Sequence, residues 1–315
     1  KLNLSYSIYF VTFFILILLI IKLNNIKFSK LFKFEKLSII QKFLLFLCGI
    51  FLVVSLIGAL SPEREFDATW YHLPEAKWFL QNSSTHLIYP SMLGTSSLAP
   101  KLPEILFVWL LAFGKNEILP HLLQWISAFG MGLASYSIAR RFTGKANALL
   151  ASLILLSSRE ILWLSSNAYI DNIYGIFGIA VCLAILVFSE KNNSKNIFSF
   201  VTVIGILAGL MFSTKMQALV FIPAIAFAVF SIRKNIKDVY LSIIISLIVV
   251  FPWYLEIWIS TGHPFTGVIA AAPGDERYGG GKSFTDWVIN VYPRAGYQDM
   301  TKSIKDSFQT AILAL

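Results

Sequence analysis

What most constrains this chain is the recurrence of apolar runs about 20 residues long, the length that crosses a bilayer. They cover Leu4–Leu23, Ser38–Leu60, Glu117–Ala139, Ala146–Trp163, Ala168–Phe188, Ile197–Phe212, Met216–Ile232 and Val239–Trp258, and another begins near Phe308. So many runs exclude a soluble protein with a signal peptide. Composition agrees, with 57% hydrophobic and 14% charged residues. The expectation is an all-α, polytopic transmembrane helical bundle. Cys48 and Cys182 both sit inside apolar runs and read as buried free thiols. The chain starts at Lys1 rather than Met and stops at Leu315 inside a new apolar run, so it reads as truncated at the C-terminus and as a piece of a longer protein.

The net charge of +9 is not a nucleic-acid footprint, because the basic residues gather in short loops between spans. Lys22, Lys27, Lys30, Lys33, Lys36 and Lys42 stand against one acid, Glu35. Arg140, Arg141 and Lys145, then Lys191 and Lys195, then Arg233, Lys234 and Lys237 mark three further basic loops. By the excess of Lys and Arg on the cytoplasmic side, all four are cytoplasmic. Alternation then places two long loops, 61–116 and 259–307, outside. It also makes Pro103–Phe113, too short to span, an interfacial or re-entrant helix.

The first long loop opens with an unusual density of titratable groups: Asp67-Ala-Thr-Trp-Tyr-His-Leu-Pro-Glu75. On a helix Tyr71 shares a face with Asp67, whereas His72 is rotated by about 140°. Pro74 breaks or kinks a helix outside its first turn, so Glu75 reads as an ordinary loop carboxylate. A helix N-cap is the competing role for Asp67. For Tyr71 and His72 the competing role is an interfacial aromatic belt, which Trp70 and Trp78 also fit. Asp171 at the head of one span and Lys215 in a tight turn between two others are expected at a similar depth on the same side. Ionisable groups at such depth are costly and mark sites.

These segments together resemble the GT-C superfamily of integral-membrane glycosyltransferases, in the branch of dolichyl-phosphate-mannose protein mannosyltransferases and aminoarabinose transferases. The resemblance rests on the Asp67–Leu80 loop, on Ala139-Arg-Arg-Phe-Thr-Gly144 and on Ala168-Tyr-Ile-Asp171-Asn172. Gly205-Ile-Leu-Ala-Gly-Leu-Met-Phe-Ser-Thr-Lys215 and the Pro252-Trp … Thr-Gly-His263-Pro element complete it. It implies a GT-C-like core over 38–258, an extra N-terminal helix and basic loop over 1–37, and a second external loop over 259–307 whose Gly274–Gly281 stretch reads as a flexible lid. A further helix starts at 308–315.

The implied activity is transfer of a sugar from a polyprenyl-phosphate-linked donor to a protein, glycolipid or polysaccharide acceptor. It would occur among membrane lipids, at the outer face of a bacterial or archaeal cytoplasmic membrane, without nucleic acid. Asp67 is the implied base; Tyr71, His72, Asp171, Lys215 and His263 are the implied substrate-binding residues, with Lys215 on the lipid phosphate. Many relatives carry an acidic pair where this chain has Asp67-Ala68. With a single acid the implied cofactor set is none and no metal is obligatory, a divalent cation staying open as the alternative. Two readings from other classes compete: a membrane transporter, whose charges would sit near span centres, and a noncatalytic membrane assembly protein.

Overall fold

The computed structural model of the protein describes residues 37–85, 98–114, 116–190 and 197–262. The expected Leu4–Leu23 helix, His263, nearly all of the second long loop and the Phe308 run lie outside the described residues. Among those described there are helices and no strand. Two compact units are distinguished, 1–86 with 100–250, and 87–99 with 251–315.

The first unit contains the helices that matter for the site. In chain order they are α1 (Ile39–Ala59), α2 (Leu73–Asn82) entered through a π turn (Ala68–His72), α3 (Leu102–Gly114), α4 (Ile118–Phe142), α5 (Lys145–Leu156), α6 (Arg159–Leu164), α7 (Asp171–Glu190), α8 (Ile197–Phe212), a 3-10 turn (Met216–Phe221), α9 (Ile222–Arg233) and α10 (Ile236–Thr261), which runs on past residue 250. Five helical stretches are long and apolar enough to cross a membrane: Ile39–Ala59, Ile118–Phe142, Asp171–Ser189, Met216–Arg233 and Ile236–Ser260. Their outward faces carry large apolar side chains, such as Phe43, Phe46, Val53, Val54 and Ile57 on α1. An apolar surface of that extent suits lipid, not water. The chain is an integral membrane protein.

The expected span Ala146–Trp163 is not one helix. It breaks at Ser157–Ser158, where the Ser157 hydroxyl donates to the Ile154 carbonyl and that of Ser158 to the Leu155 carbonyl. Serine hydroxyls that take backbone carbonyls compete with helix bonds, and Ser158 turns extended. The two pieces still climb along α1, from Leu149 opposite Cys48 to Ser166, whose hydroxyl donates to the Ser55 carbonyl. Both cysteines are free; Cys48 is buried, but Cys182 lies on an exposed face of α7, contrary to expectation.

Packing follows residue size. Gly205 and Gly209 of α8, one turn apart, face Ser242 and Ser246 of α10 so closely that a Cβ at either glycine would come within 2.8 Å of the facing serine carbonyl. Small residues at this spacing let membrane helices approach backbone to backbone. Phe200, Val201, Ile204, Val229 and Val239 fill the core beside them. This close packing holds the end of α8, and with it the turn bearing Lys215. In the second unit, Trp253 and Ile257 of α10 pack on Leu98, and the Trp253 indole donates to the Leu98 carbonyl at 3.4 Å.

Candidate active site

The helix that carries Asp67 begins one residue earlier and continues to Asn82 without a break. Pro74 offers no N–H to the Trp70 carbonyl, which an α-helix would require. The chain answers with a widened turn, in which the Leu73 N–H donates to the carbonyl of Ala68, five residues back. That turn changes the angular frame. In an α-helix His72 would lie far round from Asp67. In a π turn the fifth residue closes over the first, so Asp67, Tyr71 and His72 come toward one side. Asp67 lies within the helix with an αR backbone and its carboxylate caps no N–H.

The Asp67 carboxylate instead faces the Tyr71 hydroxyl. Burial, then the charges of Asp67, Glu104 and Asp171, push the Tyr71 phenol far above its usual pKa, so it remains a donor. The Tyr71 ring lies 4.1 Å from the His72 ring, centroid to centroid. The Asp67 backbone N–H donates to the Tyr169 hydroxyl at 3.3 Å. Tyr169 belongs to the segment that leads into α7, which is built locally: Asn167 donates to the Trp163 carbonyl and accepts from the Tyr169 N–H, and Asn172 donates to the Ser165 hydroxyl. Asp171 opens α7, where a carboxylate suits the helix N-terminus. Its Oδ1 lies 2.6 Å from Lys215 Nζ, and the two side chains are 32% and 28% exposed. Lys215 is extended, just past the Ser213–Thr214 turn, and the Leu102 N–H donates to the Ser213 carbonyl at 3.1 Å.

Behind this surface lies a cluster of buried titratable groups. His72 Nδ1 is 2.6 Å from Glu104 Oε1, and Lys101 Nζ is 2.5 Å from Glu75 Oε2; all four side chains are at most 2% exposed. Glu75 is therefore no ordinary loop carboxylate: the π turn absorbs Pro74 and delivers Glu75 inward. Burial pushes Glu75 up to about 7, with Lys101 opposing and Glu104 adding. Burial works the same way on Glu104, but Lys101 and the His72 hydrogen bond outweigh it and hold that carboxyl below the usual value. His72 is thus buried against a carboxylate instead of lining an open surface.

A second buried hub ties the same end together. Glu63 accepts from the Ala168 N–H at 2.6 Å and from the N–H groups of Arg64 and Glu65 at 2.9 Å. His121 of α4 holds Nε2 3.1 Å from Glu63 and donates through Nδ1 to the Ala59 carbonyl at 3.0 Å. Burial raises the Glu63 carboxyl, but the adjacent His121 and the backbone hydrogen bonds prevail and its pKa falls. The end of α1, the start of α4 and the segment before α7 thereby meet at one carboxylate.

Of the residues singled out by sequence, Asp67, Tyr71, Asp171 and Lys215 come together. Sequence reasoning missed Glu63, Lys101, Glu104, His121 and Tyr169. One available signal was a repeated pattern, His72-Leu-Pro-Glu75 and Lys101-Leu-Pro-Glu104. Among the described residues no three His, Cys, Asp or Glu side chains converge as a metal site.

Residues 102–258, close to half of the chain, match a family model described as dolichyl-phosphate-mannose-protein mannosyltransferase. The match includes Asp171 and Lys215, whereas Asp67 and Tyr71 lie ahead of it. Comparison with curated proteins and with solved structures returns no match. With its apolar spanning helices, the chain is thus similar over residues 102–258 to the dolichyl-phosphate-mannose-protein mannosyltransferase family, which is of the membrane glycosyltransferase GT-C type.

Proposed function

We propose that the protein moves a sugar from a polyprenyl-phosphate donor to a hydroxyl-bearing acceptor, a protein, glycolipid or polysaccharide, at the external face of the membrane. The observation that carries this reading is a half-open pair, Lys215–Asp171, beside Tyr71 and an Asp67 whose carboxylate faces the Tyr71 hydroxyl and whose backbone N–H donates to Tyr169. Glycosyl transfer from a lipid phosphate needs both elements: a base for the acceptor and a cation for the departing phosphate. In the proposed step Asp67 takes the proton of the acceptor hydroxyl. The acceptor oxygen forms a bond to the anomeric carbon as the bond from that carbon to the phosphate oxygen breaks. The phosphate leaves with the electron pair, and the Lys215 ammonium balances its charge.

Asp171 holds Lys215 in place until a phosphate competes for it, and Tyr71 offers its hydroxyl to Asp67 or to a sugar. The external assignment is supported by the basic turns at Arg140–Lys145 and Arg233–Lys237, which lie at the ends of α4 and α9 away from this site. No metal takes part in the proposed step, and chelation should leave transfer unchanged.

The test is release of polyprenyl phosphate from polyprenyl-phosphate-linked sugars by the protein in lipid nanodiscs. Asp67→Asn should lose turnover by about 100-fold or more while still binding polyprenyl phosphate. Wild-type turnover by Asp67→Asn would end the base assignment. Lys215→Met should weaken polyprenyl phosphate binding, and unchanged binding would end the phosphate assignment.

A further inference from the structure

The buried titratable groups form a reciprocal pattern. Two segments read basic-Leu-Pro-Glu, and each enters a helix: His72-Leu-Pro-Glu75 enters α2 and Lys101-Leu-Pro-Glu104 enters α3. Each basic residue pairs with the glutamate of the other segment, at 2.6 Å for His72–Glu104 and 2.5 Å for Lys101–Glu75. Pro103 sits in the first turn of α3, where its missing N–H costs no bond, and the π turn absorbs Pro74. Glu104, in the first turn of α3, offsets the partial positive charge of that helix end. With a spacing of three, the basic and acidic residues of each segment fall on one face. Two such faces laid against each other in opposite directions make two crossed rungs.

We propose that this clasp is a positioning device for the transfer reaction, setting the turn that carries Asp67 and Tyr71 against the turn that carries Lys215. It rests on the roles given to Asp67 and Lys215 above. His72 then serves as a positioning residue, its ring supporting Tyr71, and not as a sugar ligand.

Three observations support this. First, both ends of the clasp are attached to the site through short connections: the π turn closes directly from Asp67 to His72, and the Leu102 N–H, next to Lys101, donates to the Ser213 carbonyl two residues before Lys215. Second, crossed rungs fix register, because sliding either helix by one residue breaks both pairs. Apolar side chains would hold two helices together as firmly, since the desolvation of buried ions offsets much of their attraction. What four buried hydrogen-bonding partners add is a defined alignment. Third, among the described residues one oxygen of Glu75 and one of Glu104 have no hydrogen-bond partner, a cost that packing alone would not select.

The test uses the whole chain in nanodiscs and reads amide hydrogen exchange and transfer from a polyprenyl-phosphate mannose. Glu104→Gln should speed exchange about tenfold or more in residues 66–73 and 213–215, leaving the middle of α4 as in wild type. It should lower kcat by about 100-fold with KM nearly constant, as displacement of a reacting group by about 1 Å does. The reversed rung, Glu75→Lys with Lys101→Glu, should recover protection and kcat relative to either single variant. Wild-type exchange in Glu104→Gln, a reversed rung no better than its single variants, or a loss confined to KM would each overturn the proposal. Should Glu104→Gln fail to fold, the neutral rung Glu75→Gln with Lys101→Gln is read by the same criteria. Undiminished transfer by Asp67→Asn would instead overturn the base assignment, and the exchange data would still decide the clasp.

Discussion

Lys101 and Lys215 make nearly the same bond in opposite surroundings. Each ammonium lies within 2.6 Å of a carboxylate oxygen. The Lys101–Glu75 pair is at most 1% exposed, whereas Lys215 and Asp171 are 28% and 32% exposed. A buried pair cannot exchange partners without stranding a charge, so it acts as structure. A half-open pair is worth little to stability and can release its cation to a ligand. Equal distances thus conceal different availability to a ligand, and burial separates them. A third lysine pair, Lys77–Glu117, has the same 2.6 Å bond with exposures of 47% and 35%, and connects nothing in the site.

The sharpest way to break this contrast is to remove one ammonium at a time. Lys101→Met strands Glu75 and should destabilise the protein by about 3–5 kcal/mol, seen as a large fall in the thermal midpoint in detergent. A small change would mean that the buried carboxylate can be rehydrated or neutralised, and the contrast with Lys215 would fail.

The second test is pH. Folding raises the Glu75 pKa from 4.5 to about 7, so the native state holds that proton more tightly than the unfolded chain does. The resulting stabilisation is fully present below the unfolded value and is lost as pH rises through the folded one. Thermal midpoints of wild type should therefore fall between about pH 5 and 8, and Glu75→Gln should flatten that fall. An identical slope in both proteins would remove Glu75 from the account.

Lys215→Met should cost no more than about 1 kcal/mol in the same melts, its effect appearing in polyprenyl phosphate binding. Smallest of all, Lys77→Ala should leave both the midpoint and binding almost unchanged, within about 1 kcal/mol. A larger effect of Lys77→Ala than of Lys215→Met would show that exposure is a poor guide to function here.

The boundaries of most spans and the four residues of the open site were legible because both rest on local signals. An apolar run long enough for a bilayer is visible in any window of the sequence, and Asp67, Asp171 and Lys215 stand out as charges beside such runs. The break at Ser157–Ser158 was less legible, since apolar length does not reveal which hydroxyls take backbone carbonyls. Pro74 misled for a related reason. A proline one turn into a helix reads as a break, but the widened turn keeps the helix whole and swings His72 and Glu75 inward.

The sequence by itself determined a helical membrane protein with charges gathered at the ends of its spans, because a bilayer demands long apolar segments whose backbone groups are satisfied internally. It also determined which titratable residues flank those spans. Only the tertiary structure decided which charges are committed and which stay available. His72 and Glu104 are 32 residues apart, and Glu75 and Lys101 are 26 apart. No periodicity links such distant pairs; they meet because the π turn and start of α2 pack against the start of α3 and exclude water.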